Sequence, residues 1–174
     1  MRHLILFAAM AMLMGAEVVD RISVRVGKRI ITSSEIELRV RLAAFQNREK
    51  VEMTPERRKD AARQLIDQRL VEREMELGHY PRLEAGKRAL LLPAYAAQAF
   101  QGDAGALGRA LASSGIAPSE LEEDLARQAD LLTFLGLRFR INDETPKGDE
   151  DLEAWVKDQR GRVVIEDLQR ELAP

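Results

Sequence analysis

The chain is 174 residues long, with 27 basic against 29 acidic side chains and no cysteine. Interspersed charges in near-equal number exclude a nucleic-acid binder, which needs a basic face to neutralise phosphates. The missing cysteines exclude disulfides, a thiol nucleophile and a lipid-anchored lipoprotein, while hydrophobic residues at 45% are too many for a disordered chain, so an unstapled core must hold the fold.

Residues 1–16 read as a cleavable signal peptide for export. Arg2 supplies the positive start, Leu4 to Met14 is unbroken apolar sequence, and Gly15 and Ala16 are the small residues that a signal peptidase cuts behind. The run is shorter than the roughly 20 apolar residues of a membrane anchor, and no other stretch comes close, so the sequence predicts no stable membrane anchor. Residues 17–174 suffice for a single domain. Loss of Arg2 moves the formal charge from −2 to −3.

Val18 to Thr32 reads as a strand pair. Ile22, Val24 and Val26 alternate with Ser23 and Arg25, the period of a half-buried strand. Gly27-Lys28 supplies a two-residue turn, and Arg29 to Thr32 the return strand. A lone hairpin is marginal in water, so it needs a further strand or a helix to lie on.

Ser34 and Glu37 form a capping-box pattern that opens a first helix, with Ile36, Val40 and Ala43 on one face and Leu42 and Phe45 beside it. Residues 46–53 are polar and read as a loop. Thr54-Pro55 opens a second helix as N-cap and first helical residue. Ala62, Leu65, Ile66, Leu70 and Met75 recur at three- and four-residue spacing, and Gly78 ends the helix. Arg57-Arg58-Lys59 sits on it as a solvated face flanked by acids.

A third helix is predicted from Leu83 to Phe100, with a kink or break at Pro93. A turn at Gln101-Gly102-Asp103 leads to a short helix, Ala104 to Ser114, carrying Leu107 and Leu111 and ended by Gly115. Pro118 starts a long helix to Arg140, with Ile116 and Leu121 placed as a hydrophobic staple and Leu121, Leu125, Leu132, Leu135 and Phe139 inward. Residues 142–149 form a linker. A helix from Glu150 to Arg160 follows with the only tryptophan, Trp155, and Gly161 breaks it. Val163-Val164-Ile165 then reads as a strand. The predicted class is mostly α with a small antiparallel β element, in which the C-terminal strand pairs with the N-terminal hairpin and helices pack around them.

The order of these signals resembles the family of the periplasmic chaperone SurA. Members open behind the signal with a strand like Val18-Val19-Asp20-Arg21-Ile22, a turn like Gly27-Lys28, and Ile30-Ile31-Thr32-Ser33-Ser34-Glu35. Their second helix carries a Leu-Ile-Asp motif, here within Gln64-Leu65-Ile66-Asp67-Gln68-Arg69-Leu70. Gly115-Ile116-Ala117-Pro118 through Leu137-Arg138-Phe139-Arg140 matches their turn and long helix. Trp155-Val156-Lys157-Asp158-Gln159-Arg160 before Val163-Val164-Ile165 matches their C-terminal helix and strand. The likeness covers nearly all of residues 17–174. It departs in one respect: family members insert parvulin-type prolyl isomerase domains where this chain has only the 142–149 linker, so isomerase activity does not carry over. The resemblance implies a SurA-type chaperone core in the periplasm, an ATP-independent holdase for unfolded envelope or outer-membrane proteins. The alternative is a dedicated assembly partner of one envelope complex, without general chaperone activity.

Enzymatic signals are weak. His79 is the one histidine after residue 16 and follows a helix-ending glycine; a zinc site wants several His or Cys ligands. Glu120, Glu122, Glu123 and Asp124 lie in the first turns of a helix, where acids meet its dipole. The Gly102 to Gly108 region lacks the ending and the preceding strand of a phosphate-binding loop. The sequence therefore predicts no catalytic residues, metal or cofactor. A holdase needs exposed apolar surface, and the 83–100 helix is apolar on more than one face. Leu91, Tyr95 and Phe100 are its candidate client contacts, with Pro93 as a source of adaptability.

Overall fold

A computed structural model describes residues 20–139 and 147–168, with side chains described from residue 150 in the second segment. The signal reading of residues 1–16, the strand start at Val18-Val19 and the linker up to residue 146 lie outside these residues.

The chain is mostly helical, with one small antiparallel sheet. Strands β1 (Ile22–Val26) and β2 (Arg29–Thr32) form the hairpin. Helices α1 (Ser33–Asn47), α2 (Pro55–Leu77), α3 (Ala85–Arg88), α4 (Leu91–Ala99), α5 (Ala104–Ser113), α6 (Pro118–Phe139) and α7 (Lys147–Arg162) follow, and β3 (Ile165–Asp167) returns to the sheet. The strand order is β2-β1-β3. Val24 pairs with Asp167, Arg25 with Glu166 and Val26 with Ile165. The third strand that the hairpin needs thus comes from the other end of the chain.

The register of the hairpin departs from simple alternation. A bulge between Ile22 and Val24 leaves Ser23 without a partner across the strand pair. The extra residue turns both Ser23 and Val24 inward, with Ile22 left 38% exposed. Ser23 tolerates burial because its hydroxyl pairs with that of Ser33 at 2.9 Å. Strand β3 begins at Ile165, two residues later than the predicted start at Val163. The Val164 carbonyl accepts from the Gly27 N–H at 2.8 Å, so Val163-Val164 forms the approach to the sheet. Gly27 takes a φ of +59°, which an L side chain resists, and makes the tight turn possible.

The start of α1 also differs from the predicted Ser34–Glu37 box. Thr32 is the N-cap, with the Glu35 N–H donating to its hydroxyl at 3.3 Å and the Thr32 N–H donating to the Glu35 carboxylate at 2.9 Å. The Ser33 N–H donates to the Arg21 carbonyl at 2.9 Å and the Ser34 N–H to Asp20 Oδ1 at 3.2 Å. The strand therefore runs into the helix with no loop, and the first-turn N–H groups all find acceptors. Hydrogen bonds from the Thr32 hydroxyl and Ser34 hold the Asp20 carboxyl below its usual range. Glu37 instead pairs with Arg58 at 3.0 Å.

Helix α2 starts as predicted, with Thr54 accepting from the Arg57 N–H at 3.2 Å and Pro55 leading the first turn. The apolar 83–100 stretch divides into α3 and α4. The interruption falls at Ala89-Leu90, just before Pro93, because Pro93 has no N–H to give the Ala89 carbonyl and its ring crowds that oxygen. Ile116 and Leu121 are both buried across the start of α6, as a staple requires. Further along α6, Leu135 and Phe139 pack inward as predicted, but Leu132 is 68% exposed, and Phe134, outside the predicted inward set, is fully buried. The Leu121–Leu125 stripe is covered by α1 and α4, and Leu132 lies beyond that cover. Phe134 turns instead to the end of α2. In α7, Gly161 lies inside the helix rather than ending it.

Three clusters form the core. The first joins Val24, Val26 and Ile31 of the sheet to Ile36 and Val40 of α1 and Ala61, Ala62, Leu65 and Leu70 of α2. The second gathers Leu42, Ala96, Leu107, Leu111, Ile116 and Leu121. The third holds Val71, Met75 and Phe134, with Tyr80, Leu135, Phe139 and Trp155 half-buried around them.

Candidate functional site

Helix α2 carries two faces with different tasks. One is buried against the sheet and α1. Beside it, Gln64, Asp67, Gln68, Val71, Glu72 and Met75 recur at three- and four-residue spacing and form one wall of a cleft. The facing wall is α6, with Asp124, Arg127, Gln128, Leu131 and Leu135; α7 closes one end with Leu152 and Val156. The cleft encloses about 410 Å³. A smaller hollow of about 180 Å³ continues it past Arg39, between α1, α2 and the start of α6.

The inner surface is mostly apolar, from Val71, Met75, Leu131, Leu135, Leu152 and Val156. Leu131 is 37% exposed, so this floor meets solvent. The wall at the α1 end is polar and tightly bonded. Asp124 is 3% exposed, and such a carboxylate is costly unless fully partnered. It accepts from Arg39 Nη1 at 3.0 Å, Gln46 Nε2 at 3.0 Å and Gln128 Nε2 at 2.7 Å, tying α1 to α6. Around the rim, Arg160 grips Asp67 through two hydrogen bonds of 2.8 Å, fixing α7 to α2. Asp130 accepts from the Leu83 N–H at 2.6 Å and from Arg82 at 3.3 Å.

Aromatic rings hold the end where α7 closes the cleft. Phe134 makes an edge contact with Tyr80 at 5.0 Å between centroids and lies 5.6 Å from Trp155. Phe139 lies 5.8 Å from Phe134 and 6.0 Å from Trp155. These geometries suit aromatic quadrupoles and anchor α7 without backbone pairing.

The sequence-predicted contacts lie elsewhere. Tyr95 and Phe100 are half-buried around Phe45 of α1, with centroids 6.1 Å and 6.3 Å from its ring. Burial raises the Tyr95 phenol above its usual range. Leu91, in the first turn of α4, is half-buried. None of the three lines the cleft, and the exposed large hydrophobic residue beside them is Leu90, at 63%. Sequence reasoning missed the cleft residues because α2 and the α6–α7 pair that build it lie far apart in sequence. The available signals were Gln64 and Gln68 one turn apart, the Leu131-Leu132 doublet, and Leu152 and Val156 on a short helix.

His79 is exposed with a φ of +52°, as the residue that turns the chain out of α2. Among the described residues, no group of three or more histidines or carboxylates converges as metal ligands would. Among the described residues, no helix is long and apolar enough to cross a membrane.

A scan against protein-family models finds no match, and a search of curated proteins finds no significant match.

Proposed function

We propose that the protein is an ATP-independent periplasmic holdase that receives unfolded segments of envelope or outer-membrane proteins in the α2–α6–α7 cleft. The observation that carries this reading is the solvent-open apolar floor inside a rim of paired charges. Apolar surface left open in this way marks a binding site, and the ion pairs around it keep it soluble. The export-signal reading of residues 1–16 and the resemblance to the SurA family support the compartment and the client class. The same resemblance provides for a C-terminal strand on the N-terminal hairpin. No catalytic residue, cofactor or isomerase step belongs to this reading.

The energetics fit holding and release without nucleotide. Each client side chain buried on the floor contributes roughly 1.5–3 kcal/mol. Two or three of them, less the cost of ordering the segment, leave a weak and reversible complex. The test is aggregation of a chemically unfolded outer-membrane β-barrel protein, diluted with and without residues 17–174 and followed by light scattering. Suppression near stoichiometric ratio for two unrelated clients is the expected result. No suppression at large excess, by a protein that circular dichroism shows to be folded, refutes the holdase reading and leaves a dedicated assembly partner to be sought by pull-down.

A further inference from the structure

Resting on that reading of the cleft, we infer that it takes an extended, uncharged polypeptide segment and holds the segment's backbone through the side-chain amides of Gln64, Gln68 and Gln128. The charge state of the cleft is the first argument. Its acids are already occupied: Asp67 by Arg160 at 2.8 Å, Glu72 by Arg29 at 3.0 Å and Arg69 at 3.1 Å, Asp124 by Arg39 at 3.0 Å, and Asp130 by Arg82 at 3.3 Å. Its arginines are paired in turn, Arg39 and Arg82 in the bonds just given and Arg127 with Glu123 at 3.6 Å and Asp124 at 3.7 Å, so a charged client side chain entering here loses water and gains no free counter-ion. The complementary occupant is neutral.

The glutamines are the second argument. Each has one end of its amide committed to a charged neighbour, which fixes its orientation. Gln64 Oε1 accepts from Arg39 Nε at 3.0 Å, Gln68 Nε2 donates to Glu72 at 2.7 Å, and Gln128 Nε2 donates to Asp124 at 2.7 Å. Among the described residues, this leaves the Gln64 NH2 as a donor and the carbonyl oxygens of Gln68 and Gln128 as acceptors. Gln64 and Gln68 stand one helical turn apart, about 6 Å along α2. An extended chain presents its N–H and C=O groups to one side about every 6.7 Å. One donor and one acceptor at this spacing match successive backbone groups of such a chain, while alternate side chains fall onto the apolar floor. A lipid acyl chain would leave the amides unmet. Recognition through the backbone accepts many sequences, provided that they are uncharged where they enter.

The test is fluorescence anisotropy of a labelled peptide of about nine alternating leucine and serine residues, long enough to span the cleft, titrated with residues 17–174. Leu131→Glu is expected to weaken binding at least about tenfold. Methylation of alternate peptide amides, and the Gln64→Leu/Gln68→Leu double substitution, are each expected to weaken it about fivefold. A tenfold rise in salt is expected to change affinity by less than about twofold. Sensitivity to Leu131→Glu with indifference to amide methylation overturns the backbone inference but keeps the cleft as the site. Tighter binding of a lysine- or glutamate-bearing peptide overturns the neutral-segment inference. Indifference to Leu131→Glu removes the cleft reading as well. If the glutamine double variant does not fold, the methylated peptide on the unaltered protein decides.

Discussion

The two ends of α2 are packed in opposite ways. Its first half is sealed: Ala61, Ala62 and Leu65 meet the valines and isoleucines of the sheet and α1, small aliphatic shapes that fit closely. Its second half is propped: Val71 and Met75 meet Phe134, with Tyr80, Phe139 and Trp155 half-buried around it, and a cleft opens alongside. Small β-branched residues close a gap between elements adjacent in sequence. Large rings bridge elements brought together from far apart, and leave space between them. The sealed end supports the fold, and the propped end forms the cleft proposed above to receive clients.

Phe134→Ala is the largest perturbation of this contrast. Removing a fully buried ring is expected to cost about 4 kcal/mol in denaturant unfolding. Its local signature is faster proteolysis within α7, with amide exchange in β1 less affected. Equal loss of protection at both ends would show that the two halves are not separate. Asp124→Ala follows, at about 3 kcal/mol, because Arg39 and Arg127 lose a buried counter-ion. Here the expected damage is to the α1–α6 contact rather than to the sheet. Thr32→Ala probes the sealed end, and loss of the α1 cap should lower stability by about 1 kcal/mol.

The smallest effect is with acid. Glu76, held low chiefly by its hydrogen bond from Arg29, and Asp20, held low chiefly by the Thr32 hydroxyl, both have depressed carboxyl pKa values. A depressed folded-state pKa contributes stability above the unfolded value of about 4, and that contribution is lost as pH falls through the folded value. Melting temperature should therefore drop below pH about 4, and the Asp20→Asn/Glu76→Gln variant should show a shallower drop. An unchanged slope would place the acid sensitivity elsewhere.

Local chemistry made much of the fold legible. Thr54-Pro55, the Ile116–Leu121 staple and the Gly27 turn are each settled by a few adjacent residues. The errors arose where a distant partner decides. The Arg21 carbonyl takes the Ser33 N–H, and the N-cap of α1 falls at Thr32. The bulge at Ser23 depends on the hydroxyl of Ser33. Leu132 has the right period for burial, but among the described residues no helix covers it. The candidate contacts Leu91, Tyr95 and Phe100 are a separate matter: their stretch is apolar all round, and Phe45 of α1 half-covers Tyr95 and Phe100. The cleft left only faint local traces, the Gln64–Gln68 pair and the Leu131-Leu132 doublet, since its walls are about 60 residues apart in sequence on α2 and α6 and owe their spacing to packing rather than to propensity.

The most direct test of the central claim is site-specific photo-crosslinking to an unfolded outer-membrane β-barrel protein. A photoreactive side chain would replace Leu131 in the cleft or Leu90 beside α4, in otherwise unaltered protein. Crosslinks to the client from position 131, competed by excess unlabelled client and absent from position 90, are the predicted result. Crosslinks from position 90 and none from position 131 would contradict the account and place client binding on the α4 surface.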